Sequence, residues 1–158
     1  MKAALTALYL ICGFACSSCS LVSDKTDYAL FRDYYPGLRL HQFLSAWNAC
    51  QFYALDVRVF VPMMKAESGF SDNALSPSGA QGVCQVMPFH APDENLYNTR
   101  LNTFVAARVL REYLNKARGD YALALCYYNQ GPNRSPHRYG GWFTYVYKII
   151  NNAKEATI

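Results

Sequence analysis

Apolar residues recur at three- and four-residue intervals through Leu40, Phe43, Leu44, Trp47 and Cys50, a spacing that predicts a helix opening near Leu40. Asp56 is placed to cap a second helix running to Ser68, with Gly69 as the stop just past its end. Pro62 lies inside that stretch and is expected to kink it or delay its start, because proline lacks an N–H and crowds the preceding turn. From Ser71 to Gly82 the chain changes to Ser, Asn, Pro and Gly, which predicts a loop or at most a small β excursion. A short element over Val83 to Met87 follows, ended by Pro88. A longer helix is expected from about Asn102, with Phe104, Ala107, Leu110, Leu114 and Ala117 on one face and Gly119 as its end. Asp120 opens another, which runs through Tyr128 to the break at Gly131-Pro132. Trp142 to Ala153 reads as a last helix with Phe143, Val146, Tyr147 and Ile150 inward. About five helices around one irregular insert make a mostly α domain.

The beginning of the chain reads differently. Lys2 is followed by an apolar run from Ala3 to Ala15, broken by Thr6. The run falls short of the roughly 20 residues that span a bilayer as a helix, and it matches a signal-peptide core. Residues 1–19 are therefore expected to be a signal peptide, 20–40 a lead-in and 41–158 the main domain of an exported, periplasmic or envelope-associated protein. Cys12, Cys16 and Cys19 lie in or beside the leader. The Cys16-Ser17-Ser18-Cys19 spacing lacks the strand and helix of a redox centre. Lipid attachment at Cys16 or Cys19 is the functional reading there, although neither residue follows a good lipobox. In the body of the chain Cys50, Cys84 and Cys126 allow at most one internal disulfide, and buried apolar thiols are the plain alternative.

Composition narrows the function classes. With 52% hydrophobic and 16% charged residues, 158 residues can bury one core, which excludes a disordered chain. The net charge of +4 is not clustered, and no basic run interleaves with aromatics, so no nucleic-acid footprint is visible. A mild positive field does favour encounter with an acidic polymer. The 13 Tyr and 9 Phe suit a sugar-binding cleft or a tyrosine-rich core equally. His41, His90 and His137 are scattered, and the body cysteines lack ligand spacing, so neither a metal nor a cofactor is expected.

Glu67 is the most unusual carboxylate. It ends a strongly apolar segment (Val57, Val59, Phe60, Val61, Met63, Met64) and precedes Gly69-Phe70. The negative end of the helix dipole and apolar neighbours both disfavour its ionisation and should raise its pKa. A carboxyl kept protonated near neutral pH is what a general acid for glycosidic cleavage requires. A surface Glu at a helix end is the alternative. Asp72, in Ser71-Asp72-Asn73, is the only other acid close in sequence and reads as a turn residue.

Three blocks extend this reading. Glu67-Ser68-Gly69-Phe70 with Ala74 to Pro88 resembles the ESxFxxxAxSxxGAxGLMQxMP signature of the soluble lytic transglycosylase family. Ala122 to Pro132 is similar to its ALAAYNAGP segment, and Tyr145-Val146-Tyr147-Lys148-Ile149 to its YVxKV segment. The resemblance spans about Asp56 to Ile150 in family order. It implies an α+β, goose-type lysozyme-like fold with a small irregular or β insert after the catalytic helix. It also implies cleavage of the peptidoglycan strand between N-acetylmuramic acid and N-acetylglucosamine. Glu67 corresponds to the single catalytic acid, which protonates the leaving O4 and then takes a proton from the muramyl 6-hydroxyl as that oxygen closes a 1,6-anhydro ring. Intramolecular attack leaves less need for a second carboxylate.

The same resemblance implies substrate-side roles for Ser76, Gln85, Met87, Tyr128, Asn129 and Tyr145. Ser76 would orient the acid or an acetamido group, or be a turn residue beside Pro77; Gln85 and Met87 would line the cleft; Tyr128 would orient the glutamate or a sugar while Asn129 braces the loop. Tyr145 could equally pack its helix, and Trp142 could stack on a sugar or lie in the core. Gly79 and Gly82 match glycines that let the chain pass tightly by the cleft. Cys84, Val83, Tyr127 and Cys126 depart from the family pattern; Tyr127 could narrow a subsite, and a Cys84–Cys126 disulfide is implied if the family geometry brings those blocks together. Expected partners are peptidoglycan strands and, from small size alone, a secretion or conjugation machine; a monomer is expected, with membrane contact only through a lipid. A lysozyme-type hydrolase and a non-catalytic glycan-binding scaffold stay open as alternatives.

Overall fold

The computed structural model describes residues 27–133 and 141–155, with side chains in the second range from 144 to 152. The segment expected to be a signal peptide, Cys12, Cys16, Cys19, His137 and the side chains of Trp142 and Phe143 lie outside the described residues.

Residues 27–34 form α1. They are followed by α2 (Leu40–Tyr53), α3 (Val57–Ser68), a 3-10 turn (Pro88–His90), α4 (Thr99–Lys116), α5 (Tyr121–Gln130) and α6 (Gly141–Glu155). α2 packs chiefly on α4, α3 on α6, and α5 against both α4 and α6. The centre is made by Phe43, Phe60, Met63, Met64, Leu110, Leu125 and Ile149, all fully buried. Phe31, Tyr35 and Leu38 join the same core. Among the described residues, no helix is long and apolar enough to cross a membrane.

The caps explain the boundaries. Asp56 accepts the Arg58 N–H and opens α3, and Gly69 closes it in the left-handed conformation at φ 64°. Pro62 does not delay the start of this helix, which begins at Val57 and runs on through the proline. An interior proline costs about 3 kcal/mol. Burial of Val59, Phe60, Val61, Met63 and Met64, each contributing roughly 1.5–3 kcal/mol, offsets that cost. α4 starts earlier than the apolar pattern suggests, at Thr99, because Asn98 accepts the Leu101 N–H and is the cap. Asp120 caps α5 in the same way through Leu123.

In α6 the inward stripe is turned relative to expectation: Val146 and Ile149 are buried, whereas Tyr147 is 61% exposed. The rotation brings Tyr145 onto the face that meets α3. Between α3 and the 3-10 turn, the irregular insert contains two single antiparallel bridges, Leu75 with Gln81 and Gln81 with Val86. Cys50, Cys84 and Cys126 are all free and buried, so the Cys84–Cys126 disulfide implied by the family pattern is not formed. They fill small apolar positions in the core instead.

Candidate active site

Glu67 is the penultimate residue of α3, half-buried just before the turn at Gly69 and Phe70. Loss of water around the carboxyl pushes its pKa from 4.5 up to about 7, against a smaller opposite effect of a hydrogen bond from Tyr145. The Tyr145 phenol donates to Glu67 Oε1 across 2.5 Å. Burial pushes the Tyr145 and Tyr128 phenols well above the usual tyrosine range, so both remain protonated donors at neutral pH.

The end of α3 is tied directly to the insert. Ser68 Oγ donates to the Val83 carbonyl at 2.7 Å and accepts the Ser71 N–H at 3.1 Å. Asn102, fully buried on α4, then brackets the insert from behind. Its Nδ2 donates to the carbonyls of Gln81 and Leu96, and its Oδ1 accepts the Cys84 N–H, each at 2.8 Å. Gly82 is required at this crossing: its φ is 76°, and a Cβ would run into the Leu96 carbonyl and the Asn102 amide. From the other side, the Tyr128 phenol donates to the Cys84 carbonyl at 2.9 Å.

This scaffold sets the next residue, Gln85, at φ 51° with its side-chain amide donating to the carbonyls of Gly82 and Ala74. Gln85, Met87 and Tyr128 line one narrow crevice of about 30 Å³ together with Val86, His90, Val109 and Tyr113. The charge of Glu67 is close enough to act on Tyr128 and Cys84. The structure therefore gathers Glu67, Tyr145, Tyr128, Gln85 and Met87 into one region. The Ser76 hydroxyl accepts the Ala80 N–H within its own turn at 2.9 Å. Asn129 is exposed and makes no side-chain hydrogen bond among the described residues. A larger hollow of about 270 Å³ is lined by Tyr34, Pro62, Lys65 and Lys148 and by none of these site residues.

Asp72 does more than shape a turn. It accepts from Gln42 Nε2 at 2.9 Å and from the Arg39 guanidinium at 2.5 Å, with His41 Nε2 at 3.4 Å. Partial burial works against its charge, but the Gln42 hydrogen bond and the Arg39 charge hold it below the usual carboxylate range. Gln42, fully buried, also donates to the Phe70 carbonyl at 2.8 Å, so α2 clasps the chain leaving the Glu67 helix. Among the described residues no group of three or more His, Cys, Asp or Glu could hold a metal ion.

The sequence reading did not single out Asn102, Ser68 or Gln42. Asn102 carried a usable signal, as a polar residue on the α4 face shared by Val105, Ala106 and Val109. Gln42 carried the same signal beside Phe43.

Known proteins resemble parts of the chain. A transglycosylase from Enterobacteria phage PRD1 is 34% identical over 86 residues, covering 52% of this chain and 32% of the phage protein. A solved structure of an inactive mutant of the lytic transglycosylase Slt from Pseudomonas aeruginosa superposes with a TM-score of 0.65 at 19% identity. That match covers 77% of this chain and 24% of the Slt chain, so the present chain spans about a third or less of either relative. The fold shared with Slt is the mostly helical, lysozyme-like one. The transglycosylase SLT domain pattern matches residues 46–143, a range that holds Glu67, both bridges of the insert and Tyr128, and the chain belongs to the transglycosylase SLT domain family.

Proposed function

We propose that the chain is an exported peptidoglycan lytic transglycosylase in which Glu67 is the single acid–base group. The observation that carries this is a carboxyl at the end of α3 held near pKa 7 and aligned by one phenol, Tyr145. At neutral pH about half of such carboxyls hold a proton, enough to protonate the departing O4 between N-acetylmuramic acid and N-acetylglucosamine. The carboxylate left behind takes the proton of the muramyl 6-hydroxyl as that oxygen bonds to C1, giving a 1,6-anhydro end and a free 4-hydroxyl. Tyr145 keeps Oε1 in place through both transfers, and Gln85, Met87 and Tyr128 wall the strand beside it. Neither Ser76 nor Asn129 is hydrogen-bonded to this group.

Intramolecular attack is favoured over a two-carboxylate hydrolysis, which needs a partner about 5–10 Å from the acid and free to act. Asp72, the nearby acid, is committed to Arg39 and Gln42. Export is supported by the apolar run Ala3 to Ala15 in a leader over residues 1–19, and the reaction class by the name of the phage relative. Digestion of purified peptidoglycan in water enriched in heavy oxygen tests the reaction. Products ending in anhydromuramic acid, one water lighter and without heavy oxygen, are expected; labelled reducing ends would show hydrolysis instead.

A further inference from the structure

Phe89 follows the wall residues Gln85 and Met87 and is 69% exposed, the most exposed large hydrophobic side chain after Phe52 among the described residues. A single exposed aromatic is ordinary. This one sits on a turn fixed from three directions. Pro88 starts the 3-10 turn, the N–H groups of His90 and Ala91 donate to the carbonyls of Met87 and Pro88, and Arg108 donates to the His90 carbonyl at 2.7 Å. Arg108 is itself held by Glu112 one turn along α4. The Phe89 ring packs on the His90 ring with centroids 4.3 Å apart, and His90 lines the same crevice as Gln85, Met87 and Tyr128. Burial, with the Arg108 charge beside it, holds His90 below the ordinary histidine range, so the ring against Phe89 is uncharged at neutral pH.

A preordered aromatic face beside a crevice that carries Gln85, His90 and Tyr128 suits one ligand chemistry well. The C–H face of a pyranose ring carries partial positive charge and meets the negative π face, while the sugar's hydroxyl and acetamido groups stay in water or reach the crevice. Because the turn is already fixed, little ordering opposes the contact.

We propose that Phe89, backed by His90, is an outer subsite that stacks one sugar ring of a β-1,4-linked N-acetylhexosamine strand running past Glu67. The proposal rests on the glycan-cleaving reading above and adds the place where the strand is gripped. Calorimetric titration of the full chain with chitohexaose tests it. Phe89→Ala is expected to raise the Kd roughly five- to tenfold, the range of one aromatic contact, with unchanged circular dichroism and melting temperature. Phe89→Trp is expected to restore binding and to add a fluorescence change on titration beyond any that the unsubstituted chain gives. Equal chitohexaose affinity for Phe89→Ala and the unsubstituted chain, or no measurable affinity for either, overturns the subsite. Peptidoglycan cleavage is scored separately: cleavage with a neutral Phe89→Ala refutes the subsite alone, and weakened chitohexaose binding without cleavage refutes the reaction alone.

Discussion

The phenol of Tyr145 on α6 donates to Oε1 of Glu67 on α3 at 2.5 Å, joining two residues 78 positions apart in sequence. Tyrosine at this position does two opposed things. It fixes the carboxyl in one orientation, and by favouring the charged form it restrains the rise in pKa that burial causes.

Tyr145→Phe should therefore move the Glu67 pKa further up. Protonated Glu67 begins the reaction, so rate falls as pH rises through that pKa, and the descending limb should shift to higher pH in the variant. Loss of alignment should lower kcat by about tenfold, the worth of one hydrogen bond to a charged group. A pH–rate profile of peptidoglycan clearing measures both; an unmoved limb would remove Tyr145 from the acid's environment.

The same burial costs stability. A carboxyl whose pKa rises from 4.5 to about 7 on folding binds more protons folded than unfolded across that interval. Stability from this group is present below about pH 4.5 and is lost as pH climbs through 7. Glu67→Gln, which cannot ionise, should melt higher than the unsubstituted chain at pH 8, by about 3 kcal/mol in unfolding free energy, and match it near pH 4. Thermal melts at both pH values check the divergence.

Asn102→Ala strands the Cys84 N–H and the carbonyls of Gln81 and Leu96 inside the protein. A cost of about 3 kcal/mol or more is expected in urea denaturation, since each unsatisfied buried group costs about 1–3 kcal/mol. Gly82→Ala should be comparably damaging, through both its left-handed φ and the collision with the same amide. Gly79→Ala, at φ 87° but with open space around its Cβ, should cost only the backbone strain, about 1–2 kcal/mol.

Peptides bearing Cys50, Cys84 and Cys126 should stay unlabelled by iodoacetamide in the folded protein and become labelled in urea. Burial, which dominates, keeps all three thiols protonated and enclosed. Mass spectrometry reads the outcome, and a Cys84–Cys126 cross-linked peptide would contradict it.

How much of this was legible in the chain depends on where the cause lies. Helices α2 to α5 follow from local signals such as the Asp56 and Asp120 caps and the Gly69 stop, and Glu67 stood out because an acid closing an apolar helix is locally odd. Apolar spacing alone does not reach the start of α4, which Asn98 sets as its cap, and only tertiary structure decides that Asn102 faces inward to hold the insert. Tyr145 and Tyr147 were indistinguishable by periodicity alone, because either can face inward until α3 sets the rotation of α6. The Arg39–Gln42–Asp72 clasp joins residues about thirty apart, which no local pattern encodes.

The proposed cleavage needs Glu67 to hold its proton at neutral pH. Carbon-13 NMR of the glutamate side-chain carboxyl, assigned by comparison with Glu67→Gln, follows its titration directly. A midpoint near 7 is predicted. A Glu67 midpoint at the ordinary value of 4.5 would leave the carboxyl ionised when the glycosidic oxygen needs a proton, and would contradict the mechanism.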